Sequence, residues 1–423
     1  MESKDPFGGG GVWLQSGEMK QHGGIISFAS CYTTGDGGGL GVMEGSVKQN
    51  GGLLQFHDCA AKRSGGGMYL HGRVSQFSGS VEFHTCKSMG KTSYSNAWRG
   101  HGIDNFTLPG GGGVQVEAGE FYQNGGNISF ANCYAAGIGG GLSVHRGNFQ
   151  QKGGFLQFHD CEASSSGGGL HVRGKVFQFR GVLKLSRCKS NEGGGVLVDG
   201  EFHQQFGTIS FVSCTACRFG GGLLVQEGGS IIQQKGGILQ FDECHASEGG
   251  GIHITGSSFN GRARLLVGLE SLMRFTKCKS FPATTTDWTE EGGGGLFLEE
   301  GDLHVYGKLE FTDCAAETRG GGMLLKRSNL TSHGTVKFER CRAKDGGGVS
   351  LKSGQIVQAY GLMTFLDCKG RVVLDRFAVG DSLILYFCCV VCCSSLVLVC
   401  STSYVFVDIA RSICWSRKVV AAA

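Results

Sequence analysis

The chain has 423 residues, 77 of them Gly and only 3 Pro, with 40% hydrophobic and 17% charged residues and a formal net charge of +4. So much glycine excludes a protein of long helices, and the missing Gly-X-Y period with abundant Pro excludes a collagen triple helix. The apolar fraction and the low net charge exclude a disordered chain.

The N-terminal residues Met1–Phe7 carry no signal-peptide core, and a run of glycines, Gly8–Gly11, enters a repeat almost at once. Solenoids are normally capped by polar residues at both ends, so the sequence reads as a fragment or as an incomplete gene model. The repeat is marked by Phe-x-x-Cys. Twelve copies end at Cys31, Cys59, Cys86, Cys133, Cys161, Cys188, Cys214, Cys244, Cys278, Cys314, Cys341 and Cys368, most often 27 or 28 residues apart. Leu185 replaces Phe in one copy, and two residues before the Phe position every copy is aliphatic or Met, from Ile26 and Leu54 to Met363. This period-2 pattern predicts a strand with one buried face. A second strand follows each Gly triplet, as in Leu142-Ser-Val144 and Ile252-His-Ile254. A third, weaker one lies between, as in Val47-Lys-Gln49.

Three short strands cannot close a core alone, whereas stacked units bury one continuous interior. The expected fold is therefore all-β, a right-handed parallel β-helix of about twelve coils over residues 8–370. At about 4.8 Å per coil it would make a rod of roughly 55–60 Å. The unit Gly-Gly-Gly-Leu … Phe-x-x-Cys-x-Ala resembles the Gly-Gly-Ala-Ile … Phe-x-x-Asn repeats of chlamydial polymorphic outer-membrane proteins and, more broadly, the pectate-lyase-like superfamily. That resemblance covers residues 8–370 and departs from the family at Cys in place of Asn. It implies the β-helix fold and surface adhesion, and it transfers no active site.

In a stacked coil each repeat position becomes a row. The Cys row is followed two residues on by small residues only, from Thr33 and Ala61 to Gly370, so both rows are expected to point inward at a tight corner. Such a row is a metal ladder, a chain of coil-to-coil disulfides, or a stack of buried thiols; the last fits best, because an unbroken row gives no pairwise Cys-x-x-Cys geometry and few His residues stand near it in register. Cys217 stands outside the row. Gln recurs seven residues before the Phe position, at Gln21, Gln49, Gln76, Gln123, Gln151, Gln178, Gln204, Gln234 and Gln358. An internal amide ladder accounts for it better than a polysaccharide-binding row. The residue before Cys alternates in charge late in the chain, Glu243, Lys277, Asp313, Arg340, Asp367, as expected of solvent-facing register control.

Two insertions, at 87–109 and 256–291, interrupt the repeat and are the expected place for a binding site. The first offers Tyr94, Trp98, Arg99 and His101, the second Trp288, for stacking on sugar rings or proteins. After residue 370, Ser382–Val407 is a 26-residue run without charge, long enough for a single transmembrane helix, followed by a short basic tail at 408–423. Lyases on this fold need clustered carboxylates and a base, which the sequence does not gather. His57-Asp58 and His159-Asp160 are copies of one repeat position. No Gly-x-Ser-x-Gly elbow, His-Glu-x-x-His pair or phosphate loop occurs. The expected function is a non-catalytic, membrane-anchored, cell-surface β-helix for adhesion or for binding glycans or surface proteins. It needs no metal, other cofactor or nucleic acid. The alternatives are a pectate-lyase-like polysaccharide lyase or glycoside hydrolase, and a purely structural solenoid.

Overall fold

The computed structural model describes residues 8–90, 109–199, 201–226, 230–233, 236–256, 262–281 and 292–373, and five short strands within 377–409. The chain forms two compact units, Met1–Glu201 and Phe202–Ala423. Each is a parallel β-solenoid, and about eleven turns are present in all. The described residues of the solenoid contain strands and no helix.

A coil of the N-terminal unit has four strands, one more than the sequence pattern suggests. In the second coil they are Leu40–Val42, Ser46–Gln49, Leu53–His57 and Ala60–Ala61. Each pairs in parallel with its equivalents, so that Phe28, Phe56, Phe83, Phe130 and Phe158 stand in register. Their rings stack 4.7–4.9 Å apart and within 7° of parallel. In the C-terminal unit Phe211, Phe241, Phe275, Phe311, Phe338 and Phe365 do the same. There the last two coils merge their first two strands into Met323–Ser332 and Val349–Gln358. The irregular stretch after Gly256 still supplies a second strand, Ala263–Val267, which pairs with Gly301–Val305.

The Gly triplet is required by geometry. Gly65 has φ +65°, a region costly for residues with a Cβ. A Cβ on Gly66 would strike the carbonyl oxygen of Gly112 in the next coil, and one on Gly67 would lie 2.6 Å from Cδ1 of Phe83. The triplet therefore admits the close approach on which ring stacking depends.

The Cys row is buried from Cys59 through Cys341, and its members from Cys31 to Cys368 are thiols outside any disulfide. A thiol is a weak donor, and several of these have two carbonyls in reach; Cys86 Sγ donates toward Phe56 O (3.5 Å) and His84 O (3.6 Å). Burial without a neighbouring cation pushes the thiols of Cys133, Cys244 and Cys314 up. The Gln row is the internal amide ladder expected: Gln76 Nε2 donates to Gln49 Oε1 at 3.1 Å, and Gln178 Nε2 to Gln151 Oε1 at 3.0 Å. Gln234 lies outside the described residues.

The residue before Cys is left-handed in all twelve copies, with φ between 51° and 54° from Ser30 to Asp367. It is the corner that turns the chain from the third strand into the fourth. The expected C-terminal helix over 382–407 is described only in part. Its described pieces are the strands Leu383–Leu385, Cys388–Cys389, Ser395–Ser401 and Tyr404–Ile409. Among the described residues no helix is long and apolar enough to cross a membrane.

Two measurements follow. Thr85 is β-branched and sits at φ +54°, so Thr85→Asn should raise stability by about 1 kcal/mol, seen as a higher denaturation midpoint; an unchanged or lower midpoint contradicts the corner geometry. Brief native alkylation followed by peptide mass spectrometry should label the exposed Cys217 and spare the buried thiols from Cys59 to Cys341 until the protein is unfolded.

Candidate functional site

The site residues suggested by the sequence, Tyr94, Trp98, Arg99 and His101 in the first insertion and Trp288 in the second, lie outside the described residues. Among the described parts of the insertions, Lys87–Ser88 and Lys279–Ser280 form fourth strands of their coils, and Ala263–Val267 and Leu272–Thr276 supply the second and third strands of one coil. Chemistry-bearing side chains gather in two other places, one in each unit.

The first is a polar furrow in the N-terminal unit. Alternation in the first strand buries its two apolar ends in the coil and turns the middle residue outward. Parallel register lines these middle residues up as Tyr69, Gln115, Ser143, His171 and Leu197. Two residues on, a second row holds Glu117, His145, Arg173 and Asp199, fixed by backbone bonds such as His145 N to Val116 O. Although these groups point outward, the centre of the furrow is enclosed: Gln115 and Ser143 have no exposure, His145 has 1% and His171 2%, whereas Arg173 and Asp199 at its edge are partly exposed. Gln115 Nε2 donates to Glu117 Oε2 at 3.1 Å, and His145 Nε2 lies 3.9 Å from Glu117 Oε1. On the flank Asp36 accepts from Ser64 N (3.0 Å) and pairs with Arg63 (3.5 Å).

Several furrow atoms have no hydrogen-bond partner in the protein: Gln115 Oε1, Ser143 Oγ, both ring nitrogens of His145 and Nδ1 of His171. Burial lowers the His145 pKa to about 4 and that of His171 to about 3, with Arg173 adding to both effects. Burial also pushes Asp36, Glu117 and the Tyr69 phenol up. Neutral imidazoles beside a carboxyl of raised pKa are the elements of acid–base chemistry. Here they are sealed from a substrate. Among the described residues no group of three His, Cys, Asp or Glu could hold a metal ion. The sequence signal was the polar middle residue of an apolar-x-apolar triplet, which alternation alone assigns to open solvent.

The second place is a charged cleft in the C-terminal unit, about 610 Å³, along the corner between third and fourth strands. One wall is the alternating row predicted before Cys. Lys277 Nζ meets Glu243 at 3.1 Å, and Arg340 grips Asp313 through two nitrogens at 2.8 and 2.9 Å. The Arg340 guanidinium holds the Asp313 carboxyl below its usual range. The other wall is the first position of the fourth strand, in register as His245, Lys279, Ala315 and Arg342. In the N-terminal unit the same corner carries His159 and Asp160; Asp160 is gripped by Arg187 at 2.7 and 2.8 Å. His57 instead stacks on His84 with ring centres 5.4 Å apart. Both His-Asp copies are thus surface neighbours of one repeat position.

The furrow makes stability depend on pH. The folded-state pKa values of His145 and His171 lie below the ordinary value of about 6.5, so their contribution is complete above that pH and is lost as pH falls toward 4 and then 3. Asp36 and Glu117, raised, act in the opposite sense and offset part of the loss in the carboxylate range. The urea midpoint of the N-terminal unit should fall between pH 6.5 and 4. His171→Leu, which copies the residue at Leu197, should flatten that fall; an unchanged slope would refute the buried, neutral imidazole.

Comparison with known proteins finds no matching family model, no matching curated protein and no matching solved structure.

Proposed function

We propose that this protein is a non-catalytic binding scaffold, displayed at a cell surface, that engages glycans or proteins through rows of outward side chains. One observation carries this reading. The open cleft of the C-terminal unit presents charges fixed in pairs by coil-to-coil register, whereas the acid–base groups of the furrow are enclosed. Rigid, evenly spaced side chains suit recognition, and catalysis needs a proton carrier within reach of its substrate. The likeness of the sequence unit Gly-Gly-Gly-Leu … Phe-x-x-Cys to polymorphic outer-membrane repeats supports surface adhesion. The uncharged run Ser382–Val407 supports a membrane tether.

The test is to probe the purified chain on a printed glycan array and on intact cells while assaying soluble polysaccharides for new reducing or unsaturated ends. Saturable binding without chain cleavage is expected. Cleavage, or no binding to any glycan or cell, would contradict the reading.

A further inference from the structure

The two walls of the C-terminal cleft differ in a way that points to a ligand. The row before Cys alternates in sign and pairs Lys277 with Glu243 and Arg340 with Asp313, with Asp367 following them. Two residues on, the fourth-strand row holds Lys279, Ala315, Arg342 and Lys369 in continuous parallel register. Lys279, Arg342 and Lys369 are exposed, and no carboxylate among the described residues makes an ion pair with them. Like charges facing each other on neighbouring strands, as Arg342 and Lys369 do, destabilise a sheet. The adjacent row shows that this chain can alternate charges where stability alone is served. Arg342 contributes to the field that lowers the Asp313 carboxyl, yet neither it nor Lys279 nor Lys369 is held in an ion pair by a described carboxylate, so this row of cations goes beyond what ladder pairing uses and is suited to an anion. Ala315 leaves the space between Lys279 and Arg342 open, which gives the cleft its floor. Lys344 and Arg371, also exposed, continue the cationic face at the last coils.

We propose that this corner binds a linear polyanionic glycan lying along the solenoid axis, a claim that rests on the scaffold reading and adds its ligand. At about 4.8 Å per coil, Arg342 and Lys369 stand about 5 Å apart and Lys279 and Arg342 about 10 Å apart. A small anion meets one of these cations; a polymer with an anionic group on successive sugars meets several. Phe281, 45% exposed and 5.9 Å from the His245 ring, offers an apolar face for a sugar at the end of the row. A single ring is not the succession of aromatic platforms that single-stranded nucleic acid uses. Sulfate and carboxylate share the chemistry required, charge-assisted hydrogen bonds from Lys and Arg.

The experiment titrates the full chain with heparin-derived sulfated oligosaccharides, oligogalacturonates and oligothymidylate at two salt concentrations. At least one of the glycans should bind, more weakly at high salt, and the two glycan arms identify the anionic group. The double variant Lys279→Glu/Arg342→Glu should weaken glycan binding by about tenfold or more, the loss expected from about 1.4 kcal/mol. The matched reversal of exposed lysines in the other unit, Lys62→Glu/Lys87→Glu, should not. Removing like-charge repulsion should leave the thermal midpoint of the first variant unchanged or higher, which separates lost binding from misfolding. Equal losses in both variants, tighter binding of oligothymidylate, or no binding of either glycan would overturn the proposal. Neutral-glycan or cell binding that survives the reversal would leave the scaffold reading standing.

Discussion

Everything in each unit depends on how closely one coil lies on the next. Parallel backbone pairing fixes the spacing near 4.8 Å, and only glycine fits where the first strand begins. At that spacing the Phe rings stack face over face, the Gln amides bond one another, and the Cys and small-residue rows fill a corner with no room to spare. A Cβ at Gly66 would strike the Gly112 carbonyl of the next coil, and one at Gly67 would meet the Phe83 ring of its own coil, so one extra methyl disturbs both the coil spacing and the ring stack. Burying each Phe contributes roughly 1.5–3 kcal/mol. The stack is thus a large stabilising term and the glycines are its condition.

The same spacing organises the surface. Any outward position becomes a row, and a row of charges must alternate, be diluted, or find counter-charges elsewhere. The row before Cys alternates in the C-terminal unit. The row two residues on does not, and it borders an open cleft. The furrow of the N-terminal unit is a different outcome of the same rule. Rows of His, Glu, Gln and Ser lie outside the coil yet are enclosed, so burial suppresses the charge of His145 and His171 and raises the pKa of Glu117.

Much of the fold was legible in the sequence. Phe-x-x-Cys gave the register, the aliphatic residue before it the buried face, and the Gln and charge rows their orientation, because each signal is local and recurs at one position of many copies of the repeat. The fourth strand was less visible, since Ala60–Ala61 and its equivalents are two residues long and follow a corner. That corner has no glycine signature. Its left-handed residue is Asp58, Thr85, Asn132, Arg187 or Lys277, chosen for surface charge as much as for backbone. The enclosure of Gln115, Ser143 and His171 was illegible because alternation reports which way a side chain points and nothing about the flanking groups, such as Asp36 and Arg63, that enclose the furrow.

The central claim is that sequence-distant repeats stand one strand spacing apart. Spin labels on genetically introduced ketone side chains at the outward positions Gln55, Glu82 and Ser129, which are consecutive in register, test it directly. Backbone separations should grow by about 5 Å per coil, so that Gln55 and Ser129 lie near 10 Å despite the insertion between Glu82 and Ser129. Separations that instead scale with the number of intervening residues would contradict the stacked solenoid.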